Sequence, residues 1–389
     1  MIGRIYIGRS LRGFADGFIA VVLPAYLLSL GLGVLEVGII STATLLGSAL
    51  TTLAVGRWGH RFHIRRLMLG AALLMTATGL GFAGFSSFWP LFLVAAVGTL
   101  NPSSGDASVF MPLDHTMLAT APDRTAIFAR YTFLGSMAGA IGALISGLPE
   151  WSGISLRGMF VLYAGVGLAV WLLYLGLPDP KTEEERLAVP LGPSRGIVWR
   201  LAALFSIDSF AGGLVLNSLL ALWLFQRFEM SLAAAGAFFF WTGLLSAVSQ
   251  LAAGPLARRI GMVNTMVFTH IPSSLFLMGA AFSPSLEMAL GFLLARSLLS
   301  QMDVPARGAF VMSVVTPAER PAAASFTAVP RSLASALSPT MTGAMFAAGA
   351  MAAPLVACGV LKIAYDLALY AAFRRVEKQS SGGVPCATR

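Results

Sequence analysis

Charge is scarce in this sequence. Of 389 residues only 11% are Asp, Glu, Lys or Arg while 57% are hydrophobic, and the mean hydropathy is +0.80; a soluble domain carries about 25% charged residues. That shortage excludes a protein solvated by water over most of its surface. Cysteine is nearly absent too. Cys358 in an apolar run and Cys386 near the end make no disulfide framework and have no metal-ligand spacing, so no metal site is expected. Nowhere is there a phosphate loop of the form G-x-x-x-x-G-K-[ST], nor H-E-x-x-H, nor G-x-S-x-G. Energy from ATP would have to come from another chain, and neither an enzyme nor a bound cofactor is expected.

What the sequence does have is apolar runs of membrane-spanning length, since a transmembrane helix needs about 20 mostly apolar residues. They fall at about residues 11–30, 34–55, 67–86, 88–110, 127–148 and 157–177, and again at about 198–225, 232–253, 263–282, 285–303, 322–348 and 350–373. Between the two sets, residues 178–197 are charged and proline-rich, with Pro178, Pro180, Glu183, Glu184, Glu185, Pro190 and Pro193. The expected organisation is an all-α membrane protein of 12 transmembrane helices: a six-helix bundle over 1–177, a linker over 178–197, a second six-helix bundle over 198–373 and a tail over 374–389.

Basic residues set the orientation. Of the 26 Lys and Arg, only Arg157 and Arg227 fall in predicted outer loops; Arg130, Arg296, Arg331 and Lys362 fall within spans, and the rest lie on the side of the termini and linker. The positive-inside rule places that side in the cytoplasm of an inner membrane. The formal charge of +9 is therefore a topology signal, and no nucleic-acid partner is expected. Arg4, Arg9 and Arg12 precede the first apolar run, but no small-residue cleavage site follows, so this run reads as a retained first helix.

The two sets repeat each other. Sliding by 198 positions places Gly38 on Gly236, Gly56 on Gly254 and Arg61 on Arg259, and sliding by 196 places Asp123-Arg124 on Glu319-Arg320. Parallel repeats of six spans imply pseudo-twofold symmetry about the membrane normal, with a binding site near the midplane.

The stretch Gly56-Arg-Trp-Gly-His-Arg-Phe-His-Ile-Arg-Arg66 resembles the loop between helices two and three of the major facilitator superfamily, G-x-x-x-D-R-x-G-x-R-K, with an echo in Gly254-Pro-Leu-Ala-Arg-Arg-Ile-Gly261. Leu23-Pro-Ala-Tyr-Leu27 and the segment from Arg296 to Arg320 extend the resemblance over most of the chain. The family's acidic position holds His60 in the first copy and Arg258 in the second, and its next glycine is His63 in the first. The resemblance implies the major facilitator fold. It also implies gating roles for Gly56, Arg61, Arg65, Arg66, Gly254, Arg259 and Gly261, and a cavity lined by helices one, four, seven and ten.

Those helices carry the polar candidates. Arg12 and Asp16 are four apart and share a helix face. Asp208 lies about ten residues into helix seven, roughly 15 Å deep at about 1.5 Å per residue, and the same arithmetic puts Arg296 and Arg331 mid-span as its expected partners. A charge at the centre of a span costs roughly 2.5–3.5 kcal/mol on insertion scales, so it persists where it meets a partner or a wet cavity. Asn101-Pro-Ser-Ser-Gly-Asp106 should interrupt helix four. Tyr26, Asn101, Ser103, Ser104, Asp106, Asn217, Ser300, Gln301 and Asp303 are the expected substrate contacts. Asp303 with Arg307 and Lys362 with Asp366, each four apart, read as local structural pairs; His270 reads as peripheral, and Asp114 with His115 as wetted by the cytoplasm.

The resulting expectation is an alternating-access secondary transporter embedded in a lipid bilayer. It would export a small molecule in exchange for protons, as drug and metabolite exporters of the family do, with Asp16 and Asp208 as coupling groups. One alternative is uptake of an organic or anionic nutrient held by Arg296 and Arg331; another is a transporter-like receptor or scaffold.

Overall fold

The computed structural model describes residues 1–103, 108–118, 124–178, 192–316 and 319–381. Among the described residues there is no strand, as expected where the backbone must satisfy its own polar groups out of water. The helices are α1 Ile2–Ser29, α2 Val34–Trp58, α3 Ile64–Gly84, α4 Phe88–Val97, α5 Phe110–Leu118, α6 Arg124–Ile145, α7 Leu148–Ser152 and α8 Leu156–Leu175. After the linker come α9 Arg195–Gly213, α10 Asn217–Phe228, α11 Leu232–Ile260, α12 Met262–Ala281, α13 Leu286–Leu299, α14 Asp303–Val314, α15 Arg320–Ala347 and α16 Ala353–Ser381.

Eight described helical segments are long and apolar enough to cross a membrane by length and composition. The expected fourth and tenth spans are missing from that set because each is broken, into α4 and α5 and into α13 and α14. The expected ninth and eleventh spans are unbroken helices of 20 and 28 residues, α12 and α15, diluted by threonine, serine, His270 and Arg331. The expected first span begins too late: α1 takes in Arg4, Arg9 and Arg12, and the last two are buried. An arginine can extend a membrane helix inward when a carboxylate waits for it.

The chain divides into two compact units. Unit 1 comprises Met1–Glu183, Val215–Leu244 and Ala336–Met351; unit 2 comprises Glu184–Leu214, Leu245–Ser335 and Ala352–Arg389. Unit 1 is organised on a glycine-mediated crossing of α1 with α6. A Cβ added to Gly17 would lie 2.0 Å from the Gly139 carbonyl oxygen, and one added to Gly142 would lie 1.9 Å from that of Phe14. Small residues bring helix backbones together in membranes, where dispersion and not the hydrophobic effect drives packing. Phe82 stacks on Phe160, against which Tyr26 of α1 packs at a tilt.

Unit 1 also contains two crossings that obey the internal repeat. A Cβ on Gly38 would meet the Pro339 carbonyl oxygen at 2.6 Å, and one on Gly236 would meet that of Ala143 at 2.6 Å. The slide of 198 relates the two glycines and the slide of 196 relates their partners. Nearby, Thr340 Oγ1 donates to Thr42 Oγ1 at 2.8 Å, and Glu150 accepts the Leu232 and Ala233 amides at 2.7 and 3.1 Å, capping the start of α11. In unit 2 the apolar core joins α9, α12, α14 and α16 through Val198, Phe205, Met266, Phe310, Tyr365 and Leu369.

Candidate functional site

The core of unit 2 encloses a chain of charged side chains. Asp208 on α9 accepts from Lys362 Nζ at 2.7 Å through one carboxylate oxygen and from Arg307 Nη1 at 3.1 Å through the other. Arg307 also binds Asp303, one turn back on α14. Lys362 Nζ lies 3.1 Å from His270 Nε2, and His270 Nδ1 is 3.1 Å from both oxygens of Asp366. Lys362 and Asp366 are four apart on α16, so both face α12 and His270. An ammonium is donor only, so with Lys362 charged the imidazole accepts at Nε2 and carries its proton on Nδ1, toward Asp366.

Arg307 and Arg331 lie over the ring of Phe205, at 5.5 and 5.9 Å from its centroid. Arg331 donates through Nε to Ser209 Oγ at 3.1 Å. It does not bridge Asp208, and Arg296 makes no ion pair among the described residues. The partners expected for Asp208 are thus replaced by Arg307 and Lys362. The expected local pairing of Lys362 with Asp366 gives way to two bonds running to other helices. Asp303 and Arg307 do pair, but in the buried network and not as an isolated end pair. His270, expected at the periphery, sits between a lysine and an aspartate.

Unit 1 holds a second buried cluster. Arg12 donates to Asp114 and to the Tyr174 hydroxyl, Tyr131 Oη donates to Asp114 at 2.8 Å, and the Arg12 guanidinium covers the Phe110 ring at 4.3 Å. Asp114 is fully buried, which corrects its expected wetting. Asp16, one turn from Arg12, is buried as well. The slide of 196 that relates Asp123 to Glu319 also places Arg12 on Asp208, so corresponding sites in the two halves carry opposite charge.

The substrate-contact candidates separate. Asn101 Oδ1 accepts from the Ser103 amide at 3.1 Å and its hydroxyl at 2.6 Å, a turn that fills the break after α4; Ser104 and Asp106 lie outside the described residues. The Ser218 amide donates to the Pro102 carbonyl at 3.1 Å, tying this break to the start of α10 beside half-buried Asn217. Ser300 and Gln301 are half-buried in the break between α13 and α14. Tyr26 is corrected from cavity to packing, because its hydroxyl is spent on the Phe82 carbonyl at 2.6 Å.

The loop residues also differ among themselves. Arg65 donates to the Leu175 carbonyl, whereas Arg61, Arg66 and Arg259 are exposed. Gly56 has open space around it, a Cβ added to Gly254 would lie 3.8 Å from Arg258 Nη1, and Gly261 has φ +93, a left-handed turn between α11 and α12.

On the same predicted side, Glu319 is buried and accepts from the Gly192 amide at 2.5 Å and from the Ser194 and Thr316 hydroxyls at 2.6 Å each, clasping the start of α9. The Ser194 and Thr316 hydroxyls, then the Gly192 amide, hold its carboxyl down at about 2. A depressed acid stabilises fully above the ordinary glutamate value and loses that contribution as pH falls toward 2, so the clasp is intact from pH 5 to 8. Glu319→Ala is expected to speed tryptic cleavage after Arg195 severalfold at pH 8; equal rates in the two proteins would show that no clasp exists.

Apolar helices, broken spans and buried ion pairs between helices define a multi-pass membrane transporter of small molecules. The chain belongs to the Major Facilitator Superfamily, whose profile matches residues 5–300. It is similar to an uncharacterized membrane protein of Saccharomyces cerevisiae, 22% identical over 94% of this chain and 92% of that one. Its fold is that of the nucleoside transporter NupG (TM-score 0.75, 14% identity, covering 96% of this chain and 99% of that one) and of a D-xylose-proton symporter (TM-score 0.76, 16% identity, covering 95% and 97%).

Proposed function

We propose that this secondary transporter couples its substrate to protons by alternating access. The observation that supports the coupling is the chain Asp208, Lys362, His270, Asp366, in which two bases stand in line between two acids. Moving one proton across the 3.1 Å from Lys362 Nζ to His270 Nε2 turns an ammonium and a neutral imidazole into an amine and an imidazolium. Each state has its carboxylate, Asp208 for the ammonium and Asp366 for the imidazolium, so the proton relocates without a change in net buried charge. Loss of charge on Lys362 dissolves its ion pair with Asp208, which joins α16 to α9. That pair is the two-state element a transport cycle needs.

A solved neighbour is itself a proton symporter; at its low identity it lends this chain a fold and no substrate. Outward transport, with both termini and the linker in the cytoplasm of an inner membrane, rests on the family resemblance and the basic loops. A counterflow screen in proteoliposomes over sugars, nucleosides, organic acids and amphipathic drugs identifies the substrate. Its accumulation is then expected to reverse with the sign of an imposed pH gradient. His270→Phe is expected to retain counterflow and lose gradient-driven accumulation. Accumulation indifferent to the gradient in the wild type overturns proton coupling.

A further inference from the structure

The bases inside unit 2 are not all paired. Arg307 holds Asp208 and Asp303, Lys362 holds Asp208 and His270 lies against Asp366, whereas Arg296 and Arg331 have no ion pair among the described residues. Arg331 is half-buried on α15 and uses one of its five N–H donors, Nε, on Ser209 Oγ; it forms no ion pair among the described residues. Its charged neighbours Asp208 and Asp303 are held by Arg307, which also stands beside it as a like charge. That arginine stands against a like charge, its Nη1 and Nη2 make no hydrogen bond among the described residues, and its Cζ lies 5.9 Å from the Phe205 ring centroid.

We propose that Arg331 is the anion-recognising group of the substrate site: its free Nη1 and Nη2 take the two oxygens of a carboxylate or phosphate on a small organic acid. The paired fork matches such a group bidentately, and the ligand's charge neutralises an arginine that has no ion pair among the described residues. This names a substrate class and rests on the transporter reading.

The test is thermal unfolding of the full-length protein in uncharged detergent with benzoate, succinate or inorganic phosphate, against benzamide and succinamide as uncharged counterparts. At least one acid is expected to raise the Tm by several degrees and its amide to leave it unchanged. Arg331→Gln should lose the shift. Arg331→Lys, which keeps the charge and guards against a folding defect, should bind about tenfold more weakly, roughly the loss of one charge-assisted hydrogen bond. Arg227→Gln, at an exposed position, should retain the wild-type response.

The proposal is overturned by an undiminished acid response in Arg331→Gln, by amides that match the acids, or by no response to any acid. It is also overturned if phosphatidylglycerol alone produces the shift, since the site is then a lipid contact. Counterflow of an uncharged solute such as uridine or xylose in the same preparation separates the two failures: transport would survive while the anion assignment falls.

Discussion

Asp208→Asn is expected to reduce gradient-driven transport to background and to lower the unfolding temperature at the same time. The carboxylate holds Lys362 at 2.7 Å and Arg307 at 3.1 Å, with Asp208 buried. Removing one partner of a buried pair costs about 3–5 kcal/mol, because the partner's charge stays behind uncompensated. Arg307 keeps Asp303, so most of the loss falls on Lys362. The double variant Asp208→Asn, Lys362→Met therefore separates the two effects. It should recover much of the stability, since both charges are gone, and still fail to accumulate substrate against a gradient. Wild-type accumulation by the single variant would remove Asp208 from the mechanism.

Gly17→Leu is expected to prevent assembly of unit 1. The Gly139 carbonyl oxygen stands 2.0 Å from where the new Cβ would be, and both atoms belong to helix backbones that cannot step aside singly. Overpacking a good core costs about 1–3 kcal/mol when side chains can adjust; here α1 and α6 must separate along their whole crossing, and the Arg12 pair with Asp114 lies one turn away. Size-exclusion chromatography after mild solubilisation should show aggregate in place of a monodisperse peak. Gly165→Leu on α8 is the control, with nothing within 4 Å of the added Cβ. A monodisperse Gly17→Leu protein with the parent's unfolding temperature would refute the α1 and α6 crossing.

Spacing along the chain reveals partners within one helix, so the pair of Asp303 with Arg307 is legible, whereas Lys362, expected to pair four residues away with Asp366, turns to Asp208. The contacts for Asp208 come instead from residues 99 and 154 positions distant, and that between Lys362 and His270 from 92. Arg296 and Arg331 are expected beside Asp208 from their depth along the chain, but depth says nothing about which way a helix is rotated, and Asp208 meets Arg307 and Lys362. Tyr26 failed likewise, as a hydroxyl near a cavity helix has no sequence signal for the carbonyl it meets. The break around Asn101-Pro102 was legible because proline and an Asn side chain act on their own backbone.

The amino-acid sequence by itself determined that the chain is a multi-pass helical membrane protein and carries the loop motif of its family. Each of these depends on the transfer cost of a residue or on a local motif, and such properties are carried by position alone. The tertiary structure decided which buried charges neutralise one another and which bases stand without a carboxylate among the described residues. That depends on helix rotation and separation, set by close approaches such as Gly17 on Gly139 and by an aspartate on α9 reaching α14 and α16. Coulomb energy in a medium of low dielectric changes steeply over an ångström, so charges whose depth the sequence reveals acquire their roles only when the helices have packed.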